Sequence, residues 1–223
     1  MKLKILPLLI ALLAFYAGNT YAYSTDGDNK RSETSVVIYY DKEGSAVWPA
    51  GTETAIANAM STWNSCGMKF EFFNGGDCSG CSHEILKNKN FIFYTGESWE
   101  KEPAQASVTA IAHDGLTPTY IFIYLNSNLT WSTKSTPDGD EYDVQSVITH
   151  ELGHAMGLLD SSSGRAMHGP CQAGTIVMRT LNQDDTNGAA FLYGTSSFNT
   201  TTTSVLKTTT TTVGGGGGGG GGG

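Results

Sequence analysis

The chain has 223 residues, 39% of them hydrophobic and 15% charged, with a formal charge of −8. It carries no basic stripe of the kind that nucleic-acid binding requires, so nucleic acid is excluded as a partner. An acidic balance of this size favours solubility outside the cell and leaves the substrate open.

The first 22 residues, MKLKILPLLIALLAFYAGNTYA, join Lys2 and Lys4 to an apolar run from Ile5 to Phe15 and to small residues Thr20 and Ala22. This is the pattern of a secretory signal peptide cut after Ala22. As a membrane anchor the run is too short for about 30 Å of hydrocarbon. Losing Lys2 and Lys4 takes the charge from −8 to −10. At the other end, residues 195–223 are rich in threonine and finish in ten glycines. Such a segment buries too little apolar surface to fold, and reads as a disordered tail or linker. Residues 23–194 remain, about 170 residues, enough for one domain with its own core.

Val36 to Tyr40 is β-branched and aromatic, and predicts a strand. Thr52 to Ser65 spaces Ile56, Ala59, Met60 and Trp63 three and four apart, the stripe of an amphipathic helix. Met68 to Phe73 alternates as a strand, and Asn74-Gly75-Gly76-Asp77 is expected to end it in a turn. Further strands are expected at Phe91 to Tyr94, Ser107 to Ala112 and Tyr120 to Leu125, the last two separated by Asp114-Gly115 and Pro118. Thr133 to Glu141 reads as a loop. From Asp143 to Gly157 the pattern is helical, with Asp143 as N-cap and Gly157 suited to a left-handed exit. A last helix covers Gln183 to Leu192, with Asp184 and Asp185 favouring the dipole in its first turn. No segment repeats.

Cys66, Cys78, Cys81 and Cys171 remain after export, and an exported chain makes disulfides the expected state, with three pairings open. The rival reading is a metal knuckle of Cys78, Cys81 and His83, which lacks an obvious fourth ligand.

The chemistry concentrates in His150-Glu151-Leu152-Gly153-His154. Two histidines four apart on a helix project from one face, close enough to share an ion. Glu151 is placed to act on a water at that ion, the division of labour of metal-assisted peptide hydrolysis. Gly157 lets the chain leave the helix and double back, so that Asp160 supplies an oxygen ligand. The metal is read as zinc, held by His150, His154 and Asp160. His168 is the alternative third ligand.

The run HELGHAMGLLD resembles the signature of the metzincin zinc proteases, in which the final position is histidine or, in a minority such as the snapalysins, aspartate. SVITHELGHAMGLLDSS is similar to the active-site helix of the matrixins, and LNQDDTNGAAFLYG to their C-terminal helix. TETAIANAMSTWNSC, SVTAIAHDG and YIFIYLNSNLTW resemble earlier matrixin elements, so the likeness runs from Val36 to Gly194. It implies an α/β (α+β) catalytic domain: a twisted mixed sheet of about five strands, an active-site helix and a C-terminal helix. It also implies a secreted zinc endopeptidase with Glu151 as base. The departure is Asp160, which lowers the charge of the metal site by one and makes its water less acidic than three imidazoles would. A methionine turn beneath the metal falls on Met167 by spacing or on Met178 by its apolar context.

An extended protein or peptide substrate would lie along an exposed sheet edge, expected at Ser107 to Ala112. His83 and His113 are read as surface histidines, and Pro137 to Glu141 as a solvated loop, with calcium as its rival reading. The residues between Ala22 and the first strand hold no cysteine, so the cysteine-switch latency of animal matrixins is not expected; Asp26 or Asp28 is the candidate plug. The expected state is a monomer, with surface anchoring through the C-terminal tail as an open reading. A zinc peptidase with a later glutamate ligand is excluded, because no glutamate follows Glu151. The other rival is a non-catalytic exported binding or adhesion module that keeps a structural zinc.

Overall fold

The computed structural model describes residues 23–25, 30–42, 47–79, 81, 89–95, 107–114 and 117–196. The signal-peptide reading of residues 1–22, Asp26, Asp28, His83 and the tail from residue 197 lie outside them.

Nine strands and three α-helices are present among these residues: β1 (Ser24–Thr25), β2 (Ser35–Tyr40), α1 (Thr52–Asn64), β3 (Glu71–Asp77), β4 (Asn90–Thr95), β5 (Ser107–Asp114), β6 (Thr117–Asn126), β7 (Trp131–Ser132), β8 (Tyr142–Asp143), α2 (Val144–Ala155), β9 (Leu158–Leu159) and α3 (Gln183–Tyr193). Five form one sheet in the order β3-β2-β4-β6-β5. Its pairs are parallel except β5 with β6, which makes β5 an antiparallel edge. This is the expected mixed α/β architecture.

Alternation explains which face is covered. Val36, Ile38 and Tyr40 of β2, Ile92 and Tyr94 of β4, and Ile121, Ile123 and Leu125 of β6 point to one side. Against them lie Ala55, Ile56, Ala59, Met60 and Trp63 of α1 and Val144, Val147, Ile148, Leu152 and Ala155 of α2. At 25 cal/mol per Å2 each fully buried side chain of this kind contributes about 1.5–3 kcal/mol before entropy is subtracted. Trp63 locks the two helices together: wholly buried, it donates its indole N–H to the Thr149 carbonyl at 2.7 Å.

The structure corrects several strand boundaries. Asn74-Gly75-Gly76-Asp77 does not end the strand; β3 continues through it to Asp77. Gly75 is an extra residue in β3, since Ile38 pairs with Asn74 and Tyr39 with Gly76. A Cβ on Gly75 would stand 2.6 Å from the Tyr39 ring, so glycine serves ring clearance there. Likewise β5 and β6 extend past Ala112 and back through Pro118, which falls at an irregularity in the pairing where a missing N–H costs little.

The cysteines divide. Cys78 and Cys81 are joined, which removes the knuckle reading, whereas Cys66 and Cys171 are free thiols and correct the expectation that all four pair. In the acidic loop, Lys134 Nζ lies 2.9 Å from Asp138 and 3.0 Å from Glu141, so a lysine ammonium occupies the place between the carboxylates that a calcium ion would need. No described helix is long and apolar enough to cross a membrane.

Trp63→Ala removes both the largest filler of the α1–α2 interface and its buried hydrogen bond. Urea titration is expected to show a loss of roughly 3–5 kcal/mol.

Candidate metal centre

Helix α2 starts where Asp143 caps it, accepting from the Ser146 N–H at 2.8 Å. The same carboxylate, 1% exposed, forms a two-pronged ion pair with Arg179, a residue that no local pattern singles out. The helix ends at Gly157, whose φ of 97° is the left-handed exit expected of it. The chain then runs through β9 to Asp160.

That route brings His150, His154 and Asp160 to one point. The two Nε2 atoms are 3.0 Å apart, and Asp160 Oδ1 lies 3.4 Å from the first and 3.5 Å from the second. A tetrahedral zinc ion with bonds of about 2.0–2.1 Å holds its ligand atoms roughly 3.3 Å from one another, so the triangle has the size of a zinc site. The tautomers agree. His150 Nδ1 is 2.8 Å from the Ala166 carbonyl and His154 Nδ1 is 2.9 Å from the Leu158 carbonyl. Each Nδ1 donates its N–H there, which leaves each neutral ring with an Nε2 lone pair aimed inward. With the rings in that tautomer, the two Nε2 atoms and the Asp160 oxygen form a donor set that suits a cation.

Exposure grades across the site. The side chain of His150 is 6% exposed, that of His154 24% and that of Asp160 61%, so the centre opens to solvent on the Asp160 side. His168 does not join the cluster; it is exposed and lines a pocket of about 410 Å3 with Arg165, Pro170, Val177 and Met178. The Gly169 backbone, one residue on, packs so closely on the Asp160 carboxylate that any Cβ would collide with it. Met167 packs on α2 at Gly153, its sulfur occupying the space where a Cβ on that glycine would project, while Met178 lines the pocket instead.

Glu151 is 3% exposed. Its carboxylate accepts hydrogen bonds from the hydroxyls of Ser107 and Thr109 on β5. Beside it stands the free thiol of Cys171, within hydrogen-bonding reach of Ser107; burial, then the negative charges of Glu151 and Asp160, push its pKa up.

The loop carrying Ala166 and Met167 is held from below by Asp185. This carboxylate, 1% exposed, accepts from the backbone N–H groups of Arg165, Ala166, Met167 and Asn182 at 2.9 to 3.2 Å. Asn182 returns a capping box to α3. The sequence suggested only a dipole role for Asp184 and Asp185; in the fold Asp184 accepts from Ser161 and Asp185 is a structural acceptor.

With this geometry in hand, the matches to known proteins follow. The matrixin family profile matches residues 31–194. The chain belongs to the matrixin family of the metzincins. It is 31% identical over 121 residues to metalloendoproteinase 5-MMP of Arabidopsis thaliana, covering 51% of the chain and 33% of that protein. It is 26% identical over 188 residues to matrix metalloproteinase-25 of Mus musculus, covering 79% and 29%. The chain thus spans about a third of the length of the curated relatives it matches.

Asp185→Ala strands four N–H groups, those of Ala166 and Met167 buried, and frees the loop that supplies the Ala166 carbonyl. Stability should fall by about 3–5 kcal/mol, and zinc affinity, read by competition with a chelating dye, by about 10–100-fold.

Proposed function

We propose that this chain is a secreted zinc endopeptidase that cleaves extended polypeptides, with His150, His154 and Asp160 as metal ligands and Glu151 as general base. The observation that carries the reading is the triangle of inward-facing acceptors with a buried carboxylate on the adjacent residue of the same helix. A structural zinc has no use for that carboxylate. Membership of the matrixin family supports the same activity, and the leader-like N-terminus supports export.

Zinc at this centre supplies Lewis acidity, which polarises a scissile carbonyl and eases deprotonation of water. The protein's own part is to hold and move protons. Glu151 takes the proton of the attacking water and delivers it to the leaving amine. The Nδ1 bonds of His150 and His154 keep both rings in the one tautomer that serves. Asp160 adds one negative charge, so the site stabilises an oxyanion less than a three-imidazole site does.

The substrate reads as a peptide strand because β5 is an edge of the sheet among the described residues, and β5 is the strand whose side chains reach Glu151. Main-chain pairing there selects for extended polypeptide and not for sequence.

Glu151→Gln should lower hydrolysis of dye-labelled casein by more than a thousandfold while metal analysis still finds one zinc per chain. Casein cleavage unchanged by the substitution sinks the assignment of the base. A zinc-loaded wild-type protein that cleaves nothing across a peptide library points instead to an exported binding module. Asp160→Ala is expected to weaken zinc binding by at least about tenfold, and 1,10-phenanthroline to abolish hydrolysis, with added zinc restoring it.

A further inference from the structure

Glu151 sits in a place that ought to be costly for a carboxylate. It is 3% exposed, and no described lysine or arginine pairs with it. A buried carboxylate persists only with hydrogen-bond donors around it. Both donors come from one strand: Ser107 reaches Oε1, and Thr109 reaches Oε2 at 2.5 Å. Residues two apart on a strand share a face, so β5 presents the two hydroxyls side by side at the spacing of a carboxylate's two oxygens. The Thr109 hydroxyl oxygen also lies 3.2 Å from the Glu151 main-chain carbonyl, so its single hydrogen is shared between side chain and helix backbone, with the shorter contact to the carboxylate.

Each carboxylate oxygen offers two acceptor positions. With one taken on each by a hydroxyl, the carboxylate plane is set and one position per oxygen stays open for a water proton. Without the hydroxyls, the side chain is free to rotate about its terminal bonds inside the cleft.

We propose that Ser107 and Thr109 are positioning residues for Glu151: the strand that receives substrate along its backbone edge also orients the base through its inward side chains. This rests on the peptidase reading above. It makes β5 a common reference for both reaction partners, since the same backbone places the scissile peptide and the group that deprotonates its attacker. A misplacement of about 1 Å costs on the order of a hundredfold in rate, which is the scale of effect available to such a device.

The experiment uses full-length, zinc-loaded protein and an internally quenched peptide cleaved by the wild type. Thr109→Val and Ser107→Ala should each lower kcat by about tenfold with KM within twofold, and the double variant by about a hundredfold. Thr109→Ser, which keeps the hydroxyl, should return to within threefold of wild type. Zinc affinity should stay within threefold in every variant. A second readout needs no turnover: the carboxylate stretch assigned to Glu151 by its loss in Glu151→Gln should shift in Thr109→Val, in metal-free protein. Should Thr109→Val fail to fold, Ser107→Ala alone carries both measurements. The proposal is overturned if kcat is unchanged, if the loss falls wholly in KM or in zinc affinity, or if Thr109→Ser is no better than Thr109→Val. Chelator-sensitive cleavage by the wild type separates that outcome from failure of the peptidase reading, in which the wild type itself is inactive.

Discussion

Two backbone carbonyls, those of Ala166 and Leu158, take the outer N–H groups of His150 and His154, and the rest of the centre depends on this. A helix can bring two imidazoles to one face, but it cannot choose their tautomers or stop their rotation. The carbonyls do both. They lie on segments that follow the helix, so the helix and the chain that doubles back from it must pack together before the histidines become a pair of inward lone pairs. Gly157 permits the turn and Met167 fills the space under Gly153, which brings the returning segment close enough.

The support runs deeper than the first contacts. Ala166 keeps its place because Asp185 gathers the N–H groups of residues 165 to 167, and Asp185 keeps its own because α3 starts there, with Asn182 closing the cap. Helix α3, which is remote from the three-residue cluster in sequence, therefore helps to determine where the His150 ring points. Arg179 and Asp143 pair at the start of α2, where the buried Asp143 carboxylate also caps the helix. The start of α2 and the loop that meets His150 are thus each held by a carboxylate almost out of water that accepts several hydrogen bonds, as a low-dielectric setting demands.

What could be read in the sequence was whatever a short, regular pattern encodes. The i, i+4 histidines, the glycine three residues later and the aspartate beyond it all lie within eleven residues, and local geometry alone predicts their convergence. The amphipathic stripe of α1 and the branched runs of β2, β4 and β6 were equally plain. The misses share a cause: each is a long-range contact. Asn74 to Asp77 looks like a turn because asparagine and glycine favour turns, yet opposite Tyr39 the glycine provides clearance inside a continuing strand. Asp185 looks like a helix-dipole residue until the loop from 165 to 167 is folded onto it. Ser107 and Thr109 look like ordinary strand residues, since nothing in their neighbourhood of the chain announces a carboxylate more than forty positions away. Cys171 reads as a disulfide half because export favours pairing, but the fold sets it beside Ser107 with no cysteine to join.

The two carboxylates at the centre, finally, are distinguished by water. Asp160 stands 61% exposed, and water can solvate the carboxylate on its open side while Oδ1 faces the two histidines. Glu151 is buried and spends one acceptor position on each oxygen on a hydroxyl. A group so held is poorly suited to swing onto a metal and well suited to stay in place while a proton comes and goes. An ion of charge +2 together with these two carboxylates leaves the centre neutral in total, whereas a third imidazole at the position of Asp160 would leave it at +1. In the proposed peptidase, neutrality would lower the desolvation cost of closing a peptide over the site. It would also place more of the burden of activating water on Glu151, the group that the hydroxyls of Ser107 and Thr109 contact.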